Sequence, residues 1–366
     1  QNLIHESIEE RSMALKIINT VLKQIKREHV KITIDPFAIA GVSRPMEKLK
    51  PGIRADNFWL QYDLEKTPKN QAEWDEPRYM YKVNGFFGWT PKVSTYAPSA
   101  QQPKLDRDIE EMSENEQHIF RFFRDRCNID KLIAFWSLEE KKGKEKFNRS
   151  RFWLIKSIFD IYGDIFLDDF LDHLPSLIEN KTNESSHRCA AEIIAGILRG
   201  AKHWEFERTK KMYEKVVPLI RLALNNITNE TDGFWGTCFA TSSEGIDPIK
   251  QYFLHEVLLE DPIKEEKSFI DCSRLYCLQG AFNQHVWRMG SVAHRLLGYL
   301  KPFLNHPFQN VRERIGSTLI NIFENDLNFP GSAPPTFSPR IADLMNQRIE
   351  EFELLRLQEN INHGKT

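Results

Sequence analysis

Four prolines at a steady spacing limit this chain most. Pro175, Pro218, Pro262 and Pro302 follow one another at intervals of 43, 44 and 40 residues. Most are trailed by an arginine that opens an apolar run: Arg188 before CAAEIIAGIL, Arg274 before LYCLQGAF, Arg312 before ERIGSTLINIF. Arg151 before FWLIKSIF extends the series backward, and the unit around Trp235 lacks its arginine. A helical unit recurring at roughly 40 residues cannot bury its apolar face alone and must stack on its neighbours. The expected fold class is therefore all-α: a HEAT-like, armadillo-type α-solenoid, with one irregular Pro- and aromatic-rich insertion. Such a stack offers an extended surface rather than a catalytic pocket.

Charge and cysteine usage narrow the partners. A formal charge of −2 gives no global field toward nucleic acid, and no apolar run is long enough to span a bilayer. Neither direct nucleic acid nor membrane is an expected partner. Five scattered cysteines without a CxxC or a paired Cys and His spacing read as reduced thiols of a cytosolic or nuclear protein. The chain starts inside a helical pattern without methionine, so we expect an excised piece of something longer.

Along the chain, Ile4, Ile8, Leu15, Ile18, Leu22 and Ile25 predict one amphipathic helix, placing a solenoid helix in 1–30. Residues 31–110 hold eight prolines, which forbid long helices. They also carry ten aromatics between Phe58 and Tyr96, more than a disordered linker holds. An irregular ordered insertion packed on the solenoid is expected; a Pro-rich tether is the alternative, chiefly for 91–108. HEAT-like repeats are expected over 111–357 and a disordered tail over 358–366. Ser113-x-x-Glu116, Asn128, Asn148 and Asp247-Pro248 mark helix starts. Each recurrent proline should bend or stop the first helix of a pair. Each arginine should join a hydrogen-bonded ladder between repeats along the inner face, or simply be solvated.

Two clusters carry possible chemistry. Asp168, Asp169, Asp172 and His173 place three carboxylates and an imidazole close together, which could hold a divalent ion or be a charged solvent face. Lys141, Lys142, Lys144, Lys146, Arg149, Arg151 and Lys156 stand against one acid, Glu145, around a turn and a helix start. Free N–H groups and the helix dipole favour anions there. The alternative is a solvated basic turn balanced by the acidic stretch 160–184. No P-loop, GxGxxG or GxSxG appears. Nothing supports catalysis within the chain, and no catalytic or metal residue is expected.

The strings RCAAEIIAGILRGAKHW (Arg188–Trp204), NVRERIGSTL (Asn310–Leu319), DNFWLQYD (Asp56–Asp63) and FNRSRF (Phe147–Phe152) resemble the proteasome activator complex subunit 4 family, the large HEAT-repeat activators. Their order fits, to about residue 356, within the middle to C-terminal half of such a protein. The resemblance implies a monomeric helical dome that caps the α-ring of the 20S proteasome core and opens its gate without ATP or ubiquitin. It further implies degradation of peptides and of unfolded or acetylated proteins, core histones included, in nucleus and cytoplasm, with roles in DNA repair and spermatogenesis. It implies no required cofactor but dome openings whose basic residues bind inositol polyphosphate, for which Lys141, Lys142, Lys144, Lys146, Arg149 and Arg151 are the candidates here. The family's docking tail is expected beyond this chain, which ends His363-Gly364-Lys365-Thr366. Its acetyl-lysine element, the contact for acetylated histones, is expected downstream too. The alternative reading is a HEAT adaptor that holds a protein partner on its concave face, as in nuclear transport or a phosphatase scaffold.

Overall fold

Side-chain caps set where several of the long helices start. The computed structural model describes residues 2–44, 54–62, 66–77, 93–138, 146–260, 263, 268–285, 288–325 and 341–362. Ser7 accepts from Glu10 N and opens α1 (Ile8–Ile25), which begins later than the sequence pattern suggested, after a single 3-10 turn. Two short helices, α2 (Pro36–Ala40) and α3 (Gln71–Trp74), lie in the insertion. The Ser113–Glu116 capping box forms and opens α4 (Glu114–Arg124). Asp125 caps α5 (Arg126–Trp136) and Asn148 caps α6 (Arg149–Tyr162). The next segment splits into α7 (Leu167–Leu171) and α8 (Leu174–Glu179), with Pro175 in the first turn of α8, where its missing N–H costs nothing. Asn183 caps α9 (Glu184–Gly200). Then follow α10 (Phe206–Asn226), α11 (Asp232–Ser243), α12 (Tyr252–Leu258), α13 (Ser268–Phe282), α14 (Gly290–Leu300), α15 (Gln309–Asn325) and α16 (Ile341–Asn362).

Pro218 lies inside α10 without ending it, and Pro302 sits in the 3-10 turn that follows α14. Pro262 is outside the described residues. The described prolines of the series thus share no single structural job. The chain stays helical to Asn362, past residue 358, because no glycine or proline interrupts it before Gly364.

The helices form two layers. α1, α6, α9, α11, α13 and α15 lie side by side in that order, and α8, α10 and α12 form a second row. This is the expected all-α solenoid, and one apolar cluster runs through it from Leu3 to Ile315. Full burial of each such side chain contributes about 1.5–3 kcal/mol. α9 is sealed on almost every side: Ala190, Ala191, Ile193, Ile194 and Ile197 are inaccessible to solvent. Its neighbours come unusually close. A Cβ on Gly196 would meet Ile155 at 2.5 Å, and one on Gly280 would meet the Gly236 carbonyl oxygen at 2.6 Å.

The arginine ladder is real in part, and it is buried rather than surface-lying. Arg188 donates to the Trp136 carbonyl at 2.8 Å and Arg274 donates to the Leu224 carbonyl at 3.3 Å, so each closes the C-terminal end of a helix from the preceding unit. Arg151 reaches the same Trp136 carbonyl at 3.2 Å, from α6, the next helix of the α5–α6 hairpin. Arg312 departs from the series: it is exposed and turns back to the His306 and Pro307 carbonyls. At the Trp235 unit the indole donates to His187 instead.

The insertion adds one element the periodicity could not show. β1 (Lys31–Ile34) pairs antiparallel with β2 (Val93–Tyr96), with Lys31 opposite Tyr96 and Ile34 opposite Val93. The described parts of the insertion are packed on the helices. Trp74 is buried and its indole donates to the Trp204 carbonyl at 3.0 Å. Tyr62 N donates to the Arg288 carbonyl, and Arg288 in turn pairs with Asp247.

Candidate anion-binding face

Of the sequence-derived basic cluster, Lys141, Lys142 and Lys144 lie outside the described residues. Lys146 and Arg149 are exposed at the entry to α6. Arg151 is not part of that surface. Two helical positions from Arg149 it faces the opposite side, is buried, sits over the Trp136 ring at 5.7 Å, and lies 3.9 Å from the fully buried Glu192. Its charge is spent on the core, which removes it from the candidate anion contacts.

A neighbouring group of lysines, which the sequence reading missed, replaces it. α1 and α6 pack side by side and border an open cavity of about 700 Å³ lined by the exposed Lys16, Lys23 and Lys26, by Lys156 and by the indole of Trp153. Among the described residues no carboxylate lines it; Asn19, Thr20, Ser150 and Ser157 supply further polar groups. Lys16, Lys23 and Lys26 form no ion pair among the described residues, whereas Lys156 is held by Asp160 at 2.6 Å. The signal was present in the sequence. From Arg11 to Arg27 the chain has no acid, and positions 16 and 23, seven apart, share one helix face.

Behind this cavity the cations crowd. Burial would raise the Asp160 carboxyl, but the contact from His29 and the Lys156 ammonium outweigh it and hold the carboxyl well below its usual range. Lys202 is pushed down to about 7, first by burial and then by the charges of Arg199 and Lys26. Its ammonium lies 4.8 Å from the centre of the Tyr96 ring. His203 stacks on His29 at 3.7 Å, and burial followed by the His29 charge holds it neutral.

On the other side of Trp153 lies a second groove of about 560 Å³, spanning α6, α11, α13 and α15. Its charged groups are Arg149, Glu244 and Arg314; its other polar groups are amides and hydroxyls such as Thr237, Thr241, Gln279 and Asn283. α9 does not line it, because its close packing sets that helix back from the surface.

The acidic cluster has a different fate from a metal site. Arg126 lies 2.8 Å from Asp172 and 3.4 Å from Asp169, His173 is 2.9 Å from Asp130, and Lys215 takes Asp168. Cations of the protein itself occupy these carboxylates. Among the described residues no group of three His, Cys, Asp or Glu side chains is placed to hold a metal ion, and no helix is long and apolar enough to cross a membrane.

The profile of the family described as "Proteasome activator complex subunit 4-like, HEAT repeat-like" matches residues 1–280. The chain belongs to this family. The activator subunit 4 of Bos taurus is 45% identical over 99% of the chain, that of Homo sapiens 44% over 99%, and subunit 4A of Danio rerio 43% over 97%. The chain spans about 20% of the length of each of these relatives. In this member of the activator subunit 4 family, the lysine cavity and the Arg149 groove adjoin at Trp153 on one layer of the helical stack.

Proposed function

We propose that this chain builds part of the wall of an activator that caps the 20S proteasome core, docks on its α-ring as a monomer and opens the axial gate without ATP or ubiquitin. The observation that carries this reading is sequence identity running through nearly the whole chain to relatives named as proteasome activator subunits. The two-layer stack supports it, since paired helices can enclose a chamber whose shape restricts what passes. Regulation and scaffolding, not bond chemistry, are its work. The substrates in this reading are peptides and unfolded or acetylated proteins, core histones among them, in nucleus and cytoplasm, serving DNA repair and spermatogenesis. Contact with acetyl-lysine belongs to a part of the activator outside this chain.

Within that wall, the lysine cavity together with Lys146 and Arg149 binds inositol polyphosphate. Convergent cations without a lining acid support this, because a compact polyanion relieves their mutual repulsion. The test of the activator reading uses the protein carrying this chain at the relatives' length: it should co-sediment with 20S particles and accelerate hydrolysis of a short fluorogenic peptide without ATP. Neither effect appearing would favour a HEAT adaptor instead. Calorimetry with inositol hexakisphosphate tests the ligand: K16A/K23A/K26A and K142A/K144A/K146A should each weaken binding, and unchanged affinity in both rejects the assignment.

A further inference from the structure

The two cavities are ends of one feature. Trp153 lines both and is 49% exposed, a large indole among cations, amides and hydroxyls, with Leu22, Phe152 and Tyr276 adding apolar surface. Lys16, Lys23 and Lys26 lie on its α1 side; Arg149 and, at the far end, Arg314 lie on the other. None of these five forms an ion pair among the described residues, and Glu244 is the acid in the lining of the second groove. Arg314 is held over the Tyr276 ring, 4.8 Å from its centre, with Asp232 near enough to feel its charge.

We propose that this face is a track for an acidic, extended polypeptide segment, crossing the layer from α1 over Trp153 to α15. Charge complementarity selects the sign. Length selects the class. Six helices side by side, at about 8–10 Å between axes, span on the order of 40–50 Å. An extended chain covers that with about 12–15 residues, whereas a compact polyphosphate at the lysine cavity and Arg149 stops short of Arg314. The groove's chemistry suits a main chain: Thr237, Thr241 and Asn283 offer donors and acceptors that pair with peptide groups of any sequence. Trp153 on α6 provides an apolar platform one helix in from α1, and the recessed α9 leaves room for the segment to pass. As a track for substrate the face deepens the activator reading. Its binding needs no core particle, so failure here leaves gate opening standing, and failure of gate opening leaves the track standing.

The test is fluorescence anisotropy on this chain with labelled Glu-Gly-Ser peptides of 16 and 6 residues and a Lys-Gly-Ser 16-mer. The acidic 16-mer should bind about tenfold or more tighter than either control and weaken steeply with salt. K23E/K26E and R314E should each weaken the 16-mer severalfold, and W153A likewise, while R314E leaves inositol hexakisphosphate affinity unchanged. All four positions line open cavities, and circular dichroism checks that the variants fold. Equal affinity for the two acidic lengths, equal affinity for the basic peptide, or a 16-mer indifferent to R314E overturns the proposal.

Discussion

Arg188 Nη2 lies 2.8 Å from the carbonyl oxygen of Trp136, fifty-two residues earlier, and both groups are buried. The carbonyl is one of the orphan acceptors at the end of α5, and the guanidinium also stands 4.0 Å from Glu192. Together with Arg151, which reaches the same carbonyl and the same acid, Arg188 closes one helix, neutralises a buried acid and fixes the spacing of two units. Replacing Arg188 with methionine leaves Glu192 with less compensation and the carbonyl short of a donor. We expect a loss of about 3–5 kcal/mol, the range for breaking a buried pair from one side, read as a fall in the chemical-denaturation midpoint. A midpoint equal to that of the parent chain would show that the contact is dispensable.

Glycine packing between neighbouring helices makes a second prediction. Gly280→Ala would press a methyl group onto the Gly236 carbonyl oxygen, a backbone atom that cannot swing aside. Overpacking of this kind costs about 1–3 kcal/mol. Gly298→Ala, in α14, is the control: nothing lies within 4 Å of its Cβ, so helix propensity alone acts and the change stabilises by about 0.8–1 kcal/mol. Thermal melts of the two variants should move in opposite directions.

Acid sensitivity follows from buried histidines. His255 is fully buried among the rings of Tyr62, Phe282 and His285, and burial pushes it down to about 3. His187 is pushed down to about 4, by burial and then by the Lys181 charge. Both stay neutral in the fold but take up a proton near pH 6.5 when unfolded. Their contribution is complete above that pH and falls as pH drops toward the folded values, by up to about 1.4 kcal/mol per pH unit for each group. His255→Phe should flatten the decline between pH 6.5 and 5. A variant with the parental slope would place the acid sensitivity elsewhere.

Lys202 carries the same sign into a higher pH window. Its folded pKa near 7 lies below the unfolded value, so the unfolded chain binds more protons between pH 7 and 10.5 and the fold gains stability as pH rises through that window. Lys202→Met removes the like-charge crowding with Arg199 and Lys26. The stability difference between parent and variant should favour the variant at pH 7 and narrow by pH 9.5. A difference independent of pH would refute the crowding.

Much of the helical stack was legible in residues. Asn148 announces α6 and the Ser113–Glu116 pair announces α4, because a cap acts within four consecutive positions, whereas Asn128 lies inside α5, which Asp125 caps. Pro175 was less informative: it divides a segment into α7 and α8, while Pro218 leaves α10 whole. The β1–β2 pairing joins residues some sixty apart through a stretch rich in proline, and no local signal carries such a register.

Sequence by itself determined the layer of paired helices and the family, since apolar period, caps and long shared strings are all one-dimensional properties. Tertiary structure decided the allocation of charge. Arg149 and Arg151 look alike in the chain, yet one is exposed beside Trp153 and the other is buried under Trp136. Lys16, Lys23 and Lys26 became a cavity only when α1 met α6, more than a hundred residues later. Solvation energy depends on what surrounds a cation in three dimensions, and that surrounding is assembled from distant parts of the chain.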